Sequence, residues 1–98
     1  QGMLFVYPDA DQRSFWMKNT GIPLDLGFFN EEGELLEVRS LFPYDLDSVT
    51  SGSKTIQFAL EVPRGWFQKH EIKPGSHLDL NDVRDMLRAK GANASFLD

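Results

Sequence analysis

The sequence predicts a mostly β chain: a small barrel-like antiparallel sheet with a short helix near residues 64–70 and a C-terminal helix, α+β in class if that helix packs on the sheet. Three observations carry this reading. Leu24, Leu26 and Phe28, and later Ile56, Phe58, Leu60 and Val62, recur at the period of two that places one strand face in a core. Asn30-Glu31-Glu32-Gly33 forms a tight connection, with Gly33 suited to the left-handed residue that closes a short hairpin loop. Residues 81–91 combine an apolar stripe at helical spacing with a polar cap at one end and Gly91 at the other.

Composition sets the outer bounds. With 98 residues there is room for one domain, residues 1–98, and area scaling buries about 65% of the extended-chain surface. Hydrophobic types make up 41%, eight of them Phe, so the means to build one core are present. A formal charge of -5 opposes a general phosphate-backbone binder, and no nucleic-acid partner is expected. The absence of cysteine excludes disulfides, thiolate catalysis and sulfur-based metal sites. No apolar run approaches the roughly 20 residues of a bilayer span, and no leader-like segment opens the sequence, so no direct membrane span is expected.

Taken in order, Leu4-Phe5-Val6-Tyr7 reads as a strand that stops at Pro8 and whose edge must pair with something. Residues 12–23 follow neither period, and Pro23 holds Ile22 extended at the end of a loop. The hairpin of residues 24–41 follows, with Leu36 and Val38 inward, while Leu35 and Leu41 fall on the outer parity and need covering. Residues 42–54 form a long loop rich in turn formers, anchored by Tyr44, Leu46 and Val49. After the strand that ends at Pro63, Trp66, Phe67 and His70 suit a short helix, and Pro74-Gly75 a type II turn. Leu78 and Leu80 suit one more short strand. Asn81 or Asp79 caps the final helix, and residues 92–98 read as a tail with Phe96 and Leu97 as anchors.

Chemical motifs are sparse. His70 and His77 lie seven apart across a turn, without a metal-binding frame, so no metal and no cofactor is expected. The paired aspartates Asp9 with Asp11 and Asp45 with Asp47 lack a calcium-loop pattern. No serine elbow, phosphate-cradling glycine run or paired-carboxylate signature stands out, so no catalytic residue is assigned. What remains is Phe15-Trp16-Met17-Lys18-Asn19-Thr20 with Asp25 close behind. On the bland reading Trp16 and Met17 pin the loop to the sheet while Asn19, Thr20 and Asp25 bond its backbone. On the sharper one Trp16 floors a pocket, Lys18 and Asn19 read a ligand, and Asp25 accepts from it. The candidate ligand-binding set is therefore Trp16, Met17, Lys18, Asn19, Thr20 and Asp25.

Several blocks together resemble one family. They are Met3-Leu4-Phe5, Pro8, residues 15–20, Ile22-Pro23-Leu24-Asp25, Phe28, Gly33, Pro43, Ser51-Gly52, Ala59-Leu60-Glu61-Val62, Gly65 and Ile72-Lys73-Pro74-Gly75. The likeness, over residues 3–78, is to the DUF192 family, also called UPF0127, with residues 81–91 as a helical extension. The resemblance implies a compact, barrel-like β fold without an assigned activity, common in bacteria and archaea and often carrying an export or lipoprotein leader. It also implies an upstream strand that this sequence, opening at Gln1, lacks. A periplasmic or extracellular address follows as an expectation.

The leading functional expectation is a non-catalytic ligand-binding or structural module of the bacterial cell envelope, taking a small molecule or glycan. One alternative is a hydrolytic or carbohydrate-acting enzyme using Asp25 with Lys18 and a carboxylate from residues 43–47. Another is a subunit-interaction module, a homodimer formed through the edge of residues 4–7 or through the C-terminal helix.

Overall fold

In the computed structural model, which describes residues 2–17, 21–89, 91 and 97, the alternating stretches become strands. These are β1 (Met3–Asp11), β2 (Ser14–Phe15), β3 (Leu24–Asn30), β4 (Leu35–Leu41), β5 (Val49–Thr50) and β6 (Ile56–Pro63), followed by helices α1 (Trp66–Lys69) and α2 (Leu80–Ala89). Four strands form one antiparallel sheet in the order β1-β6-β3-β4, and β2 pairs with β5 as a separate ribbon.

Both faces of the sheet are covered. On one, Met17, Leu26, Phe28, Leu41 and Ala59 are buried, with Phe5, Tyr7, Phe15 and Val49 packed against them. On the other, Phe29, Leu35, Phe58, Val62, Phe67 and Val83 are buried, with Leu80, Leu87 and Leu97 beside them. The terminal helix thus packs on the sheet, as the α+β form of the expectation requires. Among the described residues no helix is long and apolar enough to cross a membrane.

The sheets are not closed into the expected barrel: β1 and β4 lie at opposite edges. Closure around a filled interior takes about eight strands, so a four-stranded sheet must instead be covered by other elements on each face. A register shift between Phe28 and Phe29 leaves Leu36 as an extra residue on β4, so Leu35 and Leu41, which share a parity, lie on opposite covered faces and are both fully buried.

Other boundaries shift for local reasons. Pro8 does not end β1, because an edge strand tolerates a missing N–H; the register shifts between Val6 and Asp11 instead. The strand expected at Leu78 and Leu80 shrinks to one bridge between Glu34 and His77. Leu80 already belongs to α2, whose start is capped by Asp79: its Oδ1 accepts the N–H groups of Asn81 at 3.0 Å and Asp82 at 3.2 Å. Gly33, at φ 79°, closes the hairpin as anticipated.

Candidate functional site

The block from Trp16 to Asp25 divides between the two faces of the sheet. Met17 is buried beside Leu26 and Phe28, so its thioether serves the core. Trp16 is 59% exposed, and its indole N–H donates to the Leu46 carbonyl at 2.9 Å, tying two loops together. Lys18, Asn19 and Thr20 lie outside the described residues. Asp25 alternates with Leu24 and Leu26 along β3, so its side chain leaves on the face of Gly27 and Phe29, opposite Met17. Among the described residues, Trp16 and Asp25 do not meet in one hollow.

Asp25 is held in a fixed orientation. Its Oδ1 accepts the Ser40 hydroxyl of the neighbouring strand at 3.2 Å, and its Oδ2 accepts the Gly65 N–H at 2.9 Å. Gly65 can present that N–H because it turns the chain from β6 into α1 at φ 87°, a conformation costly for a residue with a Cβ. The bond sets where α1 begins. Gly27 sets how close the helix lies, since a Cβ there would stand 2.6 Å from Phe67 Cζ.

Beside Asp25 opens a cleft of about 740 Å³, within the range of small-molecule sites. Its apolar lining comes from Val38, Phe67, Ile72 and Pro74, and its polar lining from Asp25, Ser40, Gln68, Glu71 and Lys73. The far wall is shaped by the end of α1. Ile72 N–H donates to Phe67 O at 2.8 Å and Glu71 N–H to Gln68 O at 3.1 Å, the paired bonds of a Schellman ending. Glu71 therefore occupies the left-handed position usually given to glycine, at φ 57°. Lys73-Pro74-Gly75-Ser76 then turns back, with Ser76 N–H on Lys73 O at 2.9 Å and Gly75 at φ 103°.

This arrangement offers a fixed carboxylate acceptor, two oppositely charged side chains and an apolar floor, a combination suited to holding a small amphipathic molecule. Among the described residues no group of three or more His, Asp or Glu is placed to hold a metal ion. Asp45 and Asp47 are not in the cleft; Asp45 Oδ1 accepts the Asp47 N–H at 3.0 Å within its own loop.

Sequence reasoning missed Ser40, Gln68 and Glu71. No motif marks a serine next to the end of an edge strand, and Glu71 reads as an ordinary surface residue until its backbone angle is known. Ile72, Lys73 and Pro74 carried a signal, as part of a block that bore the family resemblance, but nothing in linear order joined them to Asp25.

Comparison with known proteins adds three findings. The model of the DUF192 family, described as "Uncharacterized ACR", matches residues 1–80. A crystal structure of a protein of unknown function from Novosphingobium aromaticivorans DSM 12444 is similar at 31% identity and a TM-score of 0.73, covering 81% of this chain and 56% of that one. A Sinorhizobium meliloti 1021 protein, described as a candidate transcription regulator, is similar at 28% identity and a TM-score of 0.74, covering 80% of this chain and 60% of that one. The chain thus spans less than two thirds of the length of either structure. None of the curated proteins matches it at a significant level.

Proposed function

Since the chain belongs to the DUF192 family, we propose that it is a non-catalytic binding module of the bacterial cell envelope, taking a small amphipathic molecule, or a glycan, into the cleft beside Asp25. One observation supports the cleft above others. Positions far apart in the chain that carry the family resemblance, Asp25, Gly65, Ile72, Lys73 and Pro74, come together there: four line or reach the hollow, and Gly65 orients the carboxylate. A ligand would lay its apolar body on Phe67, Ile72 and Pro74 and direct a hydroxyl or ammonium donor to Asp25.

The test is a titration of nitrogen-labelled protein with phenethylamine, phenylacetate and methyl glucoside, followed through backbone amide signals. Saturable shifts of Val38, Gln68, Ile72 and Lys73 are expected with one of the two donor-bearing probes, and weaker ones with phenylacetate. Asp25→Asn keeps the local bonding, because its Oδ1 accepts from Gly65 while its amide donates to the Ser40 hydroxyl. It removes the charge, and the dissociation constant should rise at least about tenfold. If none of the three probes moves those amides, the cleft reading falls. For the envelope address, recovery of the full gene product from the cytosolic fraction would remove that part.

The hydrolytic alternative takes its support from Glu71, a second carboxylate on the same cleft. It requires turnover of a glycoside or ester that both Asp25→Asn and Glu71→Gln abolish.

A further inference from the structure

Away from the cleft, the outer edge of β1 combines three features. Among the described residues β1 pairs only with β6, so the other side of the strand keeps its backbone donors and acceptors for a further strand. Its run Met3-Leu4-Phe5-Val6-Tyr7 carries no charge and ends at Pro8, which has no N–H to extend a ladder. Apolar grooves flank its start on both faces: one of about 440 Å³ over Leu4, Leu60 and Met86, the other of about 480 Å³ over Ile22, Leu24 and Glu61. Met3, 58% exposed, belongs to both.

Two polar side chains on this strand pair remain available to a partner. Neither the Tyr7 phenol nor the half-buried Glu61 carboxylate has a hydrogen-bond partner among the described residues. Burial raises the proton affinity of both above their ordinary values; for Tyr7, Arg13 opposes that shift and Glu61 adds to it.

We propose that two copies of this chain pair antiparallel through the outer edges of their β1 strands, centred on Phe5, so that Tyr7 of each copy donates its phenol hydrogen to Glu61 of the other. The centre follows from the sequence. A two-fold pairing that uses the uncharged run from Met3 to Tyr7 and stops at Pro8 has Phe5 on its axis, which sets Met3 opposite the partner's Tyr7. Within one copy Met3 already lies opposite Glu61. Glu61, Met3 and the partner's Tyr7 therefore form one row on one face of a continuous eight-stranded sheet. They share the face of Phe5 and Leu26. Two strand spacings, about 9.6 Å, separate the outer members of that row. A glutamate and a tyrosine leaning toward each other over Met3 can bridge this distance. A second copy is the occupant because the uncharged run from Met3 to Tyr7 matches itself about a two-fold axis, whereas a charged partner strand would meet no counter-charge along it.

Sedimentation velocity over a dilution series of this chain tests the proposal. A monomer–dimer equilibrium is expected. Tyr7→Phe keeps the ring on which the Arg13 guanidinium rests, 3.8 Å from its centroid, yet should raise the dissociation constant at least about tenfold, since two bonds are lost per dimer. Met3→Lys should abolish the dimer while the melting temperature holds, because the new ammonium meets Glu61 in its own chain and charges the edge. Circular dichroism of both variants confirms that they are folded. A chain that is monomeric throughout the series, or a dimer that Tyr7→Phe leaves at the parent dissociation constant, overturns the proposal.

Discussion

On one face of the central sheet, Met17, Leu26, Phe28 and Ala59 are closed off by the β2–β5 ribbon and the irregular chain around it; on the other, Phe29, Leu35 and Phe58 lie under a four-residue helix and a ten-residue one. A short ribbon and irregular chain can drop side chains into whatever gaps a twisted sheet offers, as Phe15 of β2 does, 4.9 Å from Phe5 and 6.0 Å from Phe28 by ring centroids. Helices are stiff cylinders about 10 Å across and cannot tile such a surface without leaving a furrow. Met17 therefore belongs to the face covered by irregular chain, and the hollow beside Asp25 belongs to the helical one.

The sharpest way to break this contrast is to open a void in the face that Met17 fills. Met17→Ala should cost about 3 kcal/mol, because the site is buried and its neighbours can only partly collapse. Urea denaturation reads that cost, and the amide signals of the cleft should keep their positions. A loss of under about 1 kcal/mol would mean the loop is not pinned there. Next in size is the opposite face. Gly27→Ala forces Phe67 away from β3 and should cost about 1–3 kcal/mol, and here the signals of Val38, Gln68 and Ile72 should move.

A gain is expected at the cleft wall. Glu71→Gly relieves a left-handed residue with a side chain and should add about 0.5–1 kcal/mol of stability. If Glu71 contributes to ligand recognition, the more stable variant binds the cationic probe less well. A variant that is both more stable and equally good at binding would assign Glu71 to helix termination alone.

The smallest effect concerns Glu61, whose carboxyl burial raises above its ordinary value of 4.5. The protonated form is the one the fold favours, so its share of stability is complete below the ordinary value and is lost as pH rises through the raised one. Glu61→Gln should therefore melt slightly higher than the parent near neutral pH, in dilute solution where the monomer prevails. The gap should close as the solution is acidified. A gap that widens with acid would reverse the assignment.

Much of the fold was legible in linear order. The alternation in β3 and β6, Gly33 at the hairpin and the aspartate cap of α2 are local signals, and each reappears with little change. What misled was parity on β4. The register shift opposite Phe28 and Phe29 sends Leu35 and Leu41 to opposite faces despite their shared parity, and both faces are covered. The candidate site was half legible. Asp25 stood out, and Ile72-Lys73-Pro74 stood out, but on separate grounds. The link between them is the 2.9 Å bond from the Gly65 N–H, which depends on a backbone angle.

By itself, the sequence determined β3, β4, β6 and the two helices, because periodicity and capping are properties of neighbouring residues; the short β2–β5 ribbon, in segments read as loop, was set by pairing across the chain. It also determined family membership, through blocks of residues that need no coordinates to be compared. Only the tertiary structure decided that the sheet stays open, that Met17 and Asp25 leave on opposite faces, and that a furrow runs beside Asp25. These depend on which faces are covered and by what, and that is set by contacts between residues distant in the chain.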